Sequence, residues 1–162
     1  MADANGTYIA WLNDAHAMEL GLVTVLEKQA AETEGTSMHK KIKEHLEDTK
    51  RHAELVEECI TRNGGKVSAT KDLLSKFMAA TQGVGMSMMS DKMVKNVHSS
   101  YAAEHFEIAT YTLLAAAADE MEDEKTASAC EKILKDEMEM ANWLLEQLPT
   151  VVEKQLQKAE SE

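Results

Sequence analysis

Tyr101-Ala102-Ala103-Glu104-His105-Phe106-Glu107-Ile108-Ala109-Thr110-Tyr111 decides how this sequence folds. Apolar residues recur through it at helical spacing. Val94, Val97, Tyr101, Ile108 and Tyr111 line one seam, which continues to Ala115 and Ala118. Glu104 occupies the seam between Tyr101 and Ile108, and Glu107 lies one turn further on. An ionised carboxylate in an apolar core is costly unless it is paired or bound to a cation. The stretch therefore reads as a helix with a polar fault in the middle of its buried face.

The same fault recurs in other segments. Glu19 stands four residues before Val23 and seven after Leu12, on a seam that includes Ile9, Leu20 and Leu26, and His16 shares that face. Glu137 falls between Leu134 and Ala141, on a seam with Ala127, Cys130, Leu144 and Leu148. A further segment carries Ile42, Leu46, Ala53, Val56 and Ile60 on one face. There His45, Asp48 and His52 follow one another at steps of three and four, so they share a face, while Thr49 holds the centre of the seam. Glu44 and Glu47 turn towards solvent. Faults on several seams call for one common explanation.

The periodicity predicts long helices over about 7–33, 38–62, 91–120 and 125–148. Gly35 with Thr36 or Ser37 closes a first hairpin, and Met121-Glu122-Asp123-Glu124 closes a second. Asn63-Gly64-Gly65 stops the second helix. The connection that follows has its own features. Ser68 can cap a short helix over 69–82, Gly83-Val84-Gly85 breaks it, and Met86-Ser87-Met88-Met89 leads to the cap Ser90-Asp91. Those methionines suit packing, with ligation of soft copper as the alternative. Pro149 is expected to end or kink the fourth helix ahead of a polar tail. Two antiparallel pairs joined by one long link make a single all-α domain over 1–162. This is the connectivity of a ferritin-like four-helix bundle with a crossover that carries a short extra helix.

Folding the hairpins back sets the levels. A turn near residue 35 places Glu19 opposite about residue 51, and Asp48 and His52 bracket that level within one turn of about 5.4 Å. A turn near 122 places Glu107 opposite Glu137, with Glu104 one turn away. Each hairpin thus gathers its polar core residues at one depth.

Composition narrows the function. With 29 acidic and 17 basic residues the chain carries a formal charge of −12, which excludes nucleic acid as a natural partner and suits attraction of cations. No apolar run is long enough to span a bilayer, and the beginning of the chain lacks the pattern of a secretory signal. Cys59 and Cys130 fall on apolar stripes without metal-type spacing, so buried free thiols in a reducing cytoplasm are expected. His39 and His98 are expected at the surface, and Tyr101 and Tyr111 as core aromatics.

Glu104-His105-Phe106-Glu107-Ile108-Ala109-Thr110-Tyr111 resembles the E-H-[YF]-E-I-A-x-Y signature of the YciE/YciF-type bacterial ferritin-like proteins. His45-Leu46-Glu47-Asp48-Thr49 is similar to their H-L-E-E-T, and the first helix fits L-x-D-A-x-x-x-E through Asp14 and Glu19. The resemblance spans nearly the whole chain. It implies a ferritin-like bundle, a homodimer, a buried two-metal site and a link to bacterial stress responses without an established reaction. The Glu-x-x-Glu pattern is further similar to rubrerythrin-like peroxidases. Two departures stand out: Thr49, not Glu, precedes His52 by three, and Met140 and Ala141 stand where a histidine would follow Glu137. The last helix thus lacks its second ligand, and no Cys-rich rubredoxin-like module is present to feed electrons.

Carboxylate and imidazole ligands suit iron or manganese and also accept zinc. Glu19, Glu104, Glu107 and Glu137 are the expected oxygen ligands. Asp48 and His52 complete the second helix's share, with His45 and His16 as further ligands or as groups that orient them. If the protein is an enzyme, ferrous oxidation or peroxide reduction at two metal ions is the expected chemistry. The rival reading is a metal-free stress protein whose acids form a hydrogen-bonded network and whose Met-rich crossover contacts a protein partner.

Overall fold

Asp3 opens the first helix. Its carboxylate accepts from the backbone N–H of Asn5 at 3.1 Å, satisfying one donor that a helix start leaves free. The computed structural model describes residues 3–68, 75 and 91–161. Its helices are α1, Ala4–Glu32; α2, His39–Arg62; α3, Lys92–Glu120; and α4, Glu124–Ser161. Asp91 and Asp123 cap α3 and α4, accepting from the N–H of Val94 at 2.9 Å and of Thr126 at 3.1 Å. Gly35 and Gly64 take φ of 79° and 75° in the turns after α1 and α2, where a Cβ would strain the backbone.

α1 with α2 and α3 with α4 form the two most extensively packed pairs, both antiparallel hairpins. α1 also runs antiparallel to α3: Glu32 meets Asn96, Gln29 meets Ser100, and Glu19 meets Tyr111. α2 runs antiparallel to α4, since Arg62 meets Thr126 and His52 meets Glu137. α2 and α3 are therefore parallel. This is the ferritin-like connectivity expected from sequence. The short helix expected over 69–82 and the methionines at 86–89 fall, Ser75 aside, outside the described residues.

The core has two apolar bodies. One gathers Leu12, Met18, Ile60, Leu114 and Ile133, and the other Leu26, Ile42, Val97, Met140 and Leu144. Each such fully buried aliphatic side chain stabilises by about 1.5–3 kcal/mol relative to exposure. Between the two bodies lies a buried polar layer.

α4 departs from expectation at its end. It passes Pro149 and continues to Ser161. Proline removes one helical hydrogen bond, but it sits on an exposed face, and Val151, 6% exposed, docks into the second apolar body just beyond it. The opposite end of the bundle is tied by Asp123, whose Oδ2 accepts from Tyr8 at 3.3 Å, Asn63 at 2.7 Å and Thr126 at 2.5 Å. One carboxylate thereby joins α1, the end of α2 and the start of α4, and these bonds hold it down to about 2 against the opposing effect of burial.

Candidate metal centre

All four helices contribute to the polar layer. α1 supplies Glu19, α2 supplies His45 and His52, α3 supplies Glu104 and Glu107, and α4 supplies Glu137. None is more than 3% exposed. Each sits where an apolar side chain would continue its seam, so the amphipathic pattern that folds the helix also carries these polar side chains inward.

The geometry resolves into two halves that share Glu137. Glu19, His52 and Glu137 each offer one ligand atom, all within 4.8 Å of one another, and His45, Glu104 and Glu137 do the same. In the first half His52 Nδ1 lies 2.8 Å from Glu137 Oε1. The two atoms are not aligned for a hydrogen bond, and both remain without a partner. In the second half His45 Nε2 lies 3.2 Å from Glu104 Oε1 and 3.6 Å from Glu137 Oε2.

Unpartnered atoms test whether a cation fits. Among the described residues, eight buried side-chain N or O atoms lack a hydrogen-bond partner, and six belong to this layer: Glu19 Oε2, His52 Nδ1, Glu104 Oε2, Glu107 Oε1 and both oxygens of Glu137. Buried polar atoms are ordinarily satisfied, so ligand atoms converging without donors fit a bound cation. Charge agrees. Two divalent cations would balance the four carboxylates, with both imidazoles neutral.

Without a cation the layer must hold protons. Burial, reinforced by Glu137 and opposed by His52 and Tyr111, raises Glu19 to about 8. Burial also raises Glu104 to about 7, against the pull of His45. Glu107 is pushed well above the usual carboxylate range by burial and then by Glu137, Glu104 and Glu19. Burial opposes charge on His52, but Glu137 and Glu19 outweigh it and lift the imidazole to about 9. His45 is likewise raised despite burial, through Glu104 and Glu137.

The expected site residues divide. Glu19, His52, Glu104, Glu107 and Glu137 come together, and His45 joins them. Asp48 is a correction: its carboxylate lies at the half-exposed edge of α2, where Arg51 holds it at 2.6 Å. His16 is buried but faces away, 3.7 Å from Glu57, and burial lowers its pKa. Thr49 is fully buried and donates back to the His45 carbonyl at 2.9 Å, so it adds no ligand. No histidine follows Glu137, and the second imidazole of the layer comes from α2, one turn before Thr49, as His45. His39, expected at the surface, is half-buried, with Nδ1 2.9 Å from the Ala30 carbonyl at the end of α1.

Sequence reasoning missed two supporting groups. Tyr111 is fully buried, and its phenol donates to Glu19 Oε1. Burial and the neighbouring carboxylate hold that phenol well above its ordinary pKa. Its position four residues after Glu107, hence one turn away, was the available signal. Asp136 places Oδ2 3.2 Å from His52 Nε2 and so fixes the imidazole from behind. A cavity of about 440 Å³ between α1 and α3 reaches the second half: His45, Glu104 and Glu107 line its inner end, and Lys28, Lys92 and Lys95 stand elsewhere on its wall.

The family described as a domain of unknown function, DUF892, matches residues 3–157. A crystal structure of a protein from Xanthomonas campestris is 32% identical over 98% of this chain and 99% of its own, with a TM-score of 0.84. The Escherichia coli stress protein YciF is similar at 22% identity over 95% of this chain and 99% of its own, with a TM-score of 0.79. A Desulfovibrio desulfuricans bacterioferritin described by its diiron site aligns at 21% identity over 93% and 83%, with a TM-score of 0.74. The last two likenesses show the fold.

Proposed function

The chain belongs to the DUF892 family and has the ferritin-like fold of the YciE/YciF-type proteins, and from that premise we propose that its buried acid–histidine layer binds two metal ions and reduces peroxide there. Iron or manganese suits the oxygen-rich ligand set, and zinc is the redox-silent alternative. The observation that carries this reading is the pair of candidate ligand groups sharing Glu137, whose atoms converge in the buried core without hydrogen-bond partners.

When bound, a redox-active metal pair supplies electrons and Lewis acidity for breaking the peroxide O–O bond. The chain's own residues do the rest. Glu19, His52 and Glu137 hold one position, and His45, Glu104 and Glu137 the other. Glu107, at the inner end of the cavity, meets an entering substrate and can hold a proton beside it. Tyr111 keeps Glu19 in place and Asp136 keeps His52 in its ligating orientation. Apolar bodies on both sides exclude bulk water.

Metal analysis after anaerobic ferrous loading tests this reading. Roughly two ions per chain are expected, and peroxide should then oxidise the bound iron. A content below about half an ion per chain would overturn the proposal in favour of a metal-free stress protein.

Assembly and setting are part of the same proposal. Met138, Leu145, Val152 and Leu156 form an exposed apolar stripe down the outer face of α4, which suits pairing of two copies. Light scattering should show a dimer that a Leu145→Glu, Val152→Glu variant disperses. The free buried thiols fit a reducing cytoplasm, and the likeness to a stress protein fits a role under oxidative load.

A further inference from the structure

A step of seven residues is two helical turns, about 10 Å along a helix. Taken in the same spatial direction from Glu19, His52, Glu107 and Glu137, that step reaches Leu12, Cys59, Leu114 and Cys130. All four are buried in one apolar body. The antiparallel register that sets His52 against Glu137 thus sets Cys59 against Cys130, two turns along the same interface. Arg62 confirms the level: its Nη2 lies 3.6 Å from Cys59 Sγ and donates to Thr126 Oγ1 at 2.7 Å. α2 and α4 bring Cα atoms within 8 Å of each other. Tyr111 stands between the two levels, its phenol on Glu19 and its ring in the apolar body that holds both thiols.

We propose that Cys59 and Cys130 are the electron store of the metal centre, a dithiol that closes to a disulfide as peroxide is reduced. The proposal rests on the reading of the centre as a peroxide-reducing metal pair. Each thiol gives up one electron and one proton, and one S–S bond forms. Hydrogen peroxide takes up both electrons and both protons, its O–O bond breaks, and two waters leave. The pair thus supplies two electrons from within the bundle itself. Burial, with Cys59 and Asp123 nearby, pushes the Cys130 thiol up to about 12, so it stays protonated and resists peroxide arriving from solvent. Oxidation of the pair therefore depends on the loaded centre.

The test uses reduced full-length protein, with and without anaerobically loaded ferrous iron. Each sample receives two equivalents of hydrogen peroxide, enough to take the two electrons of the iron pair and the two of the dithiol, is quenched in denaturant with iodoacetamide, and is weighed intact. Iron content and iron oxidation are followed on the same samples. Loaded protein should lose two hydrogens and escape labelling at both cysteines, at least about tenfold more than unloaded protein, and dithiothreitol should restore both labels. Cys59→Ser and Cys130→Ser should load iron like the parent and keep the remaining thiol labelled. Three results would overturn the proposal while leaving the centre intact: iron oxidised with both thiols still labelled, a disulfide formed equally without iron, or added oxygen in place of the cross-link. Protein that binds no iron overturns the reading of the centre itself, and this proposal with it.

Discussion

The two halves of the polar layer use the same kinds of ligand but differ in what stands around them. Around Glu19 and His52 the structure is closed: a phenol holds the carboxylate and Asp136 holds the imidazole. His45 and Glu104 instead line the wall of a cavity that Glu107 also faces. One half is braced and the other is approached. On the proposed reading, Glu137 would join a position that retains its ion to one that meets substrate.

Removing the shared ligand should have the largest effect. Glu137→Gln should lower affinity at both positions by at least about 100-fold, because each loses its common carboxylate. The same change should lower the melting temperature of chelator-treated protein at pH 8, since it takes from the buried His52 imidazole the carboxylate that holds it charged. Calorimetry beside metal analysis checks both. Loss of one ion alone would break the symmetry assumed for Glu137.

pH should separate the halves next. In chelated protein Glu19 and Glu104 titrate at about 8 and about 7, above the ordinary carboxylate value, and His52 at about 9, above the ordinary imidazole value. The folded chain therefore binds more protons than the unfolded chain between the ordinary carboxylate value of 4.5 and about 9, so the stability these groups contribute is full only below 4.5 and falls as pH rises from there to about 9. Melting should fall by roughly 5 °C or more between pH 6 and 9, and metal loading should reverse the trend. Ligation needs deprotonated groups. The half containing Glu104 should accordingly fill at lower pH than the half containing Glu19 and His52. Titration calorimetry showing both ions entering in one step at every pH would refute that order.

Asp136→Ala should act on the braced half alone, lowering its affinity by about 10- to 100-fold and leaving the other ion in place. Asp48→Ala should do least. Its pair with Arg51 is a surface contact, so metal content should not change and stability should move by less than about 1 kcal/mol.

The contrast between Asp48 and His45 shows what sequence could and could not convey. Carboxylates breaking apolar seams at Glu19, Glu104 and Glu137 were legible, because burial follows period and no other residue competes for those positions. On α2 the centre of the seam is Thr49, and the choice lay among its neighbours. At about 100° per residue, His45 and His52 lie about 40° and 60° from Thr49 but Asp48 about 100° away. That angle alone favours the histidines over the acid, although the side chain's chemistry suggested the reverse. Tyr111 reads as a core aromatic and is one. Its bond to Glu19 depends on the α1–α3 register, which neither helix sets by itself. Pro149 carries a local stop signal, overridden by the docking of Val151, a tertiary contact that no window around the proline reveals.

Both imidazoles come from α2, while every carboxylate comes from the other three helices. The centre therefore doubles as an assembly checkpoint. No combination of helices lacking α2 offers a nitrogen ligand, and α2 alone offers no acid to the site. On the proposed reading, metal affinity would report whether α2 has docked in register, and a bound ion would act as a rivet that closes only when α2 is aligned with the other three helices. Hydrogen exchange should show this as protection gained along α2 ahead of the other helices when metal is added.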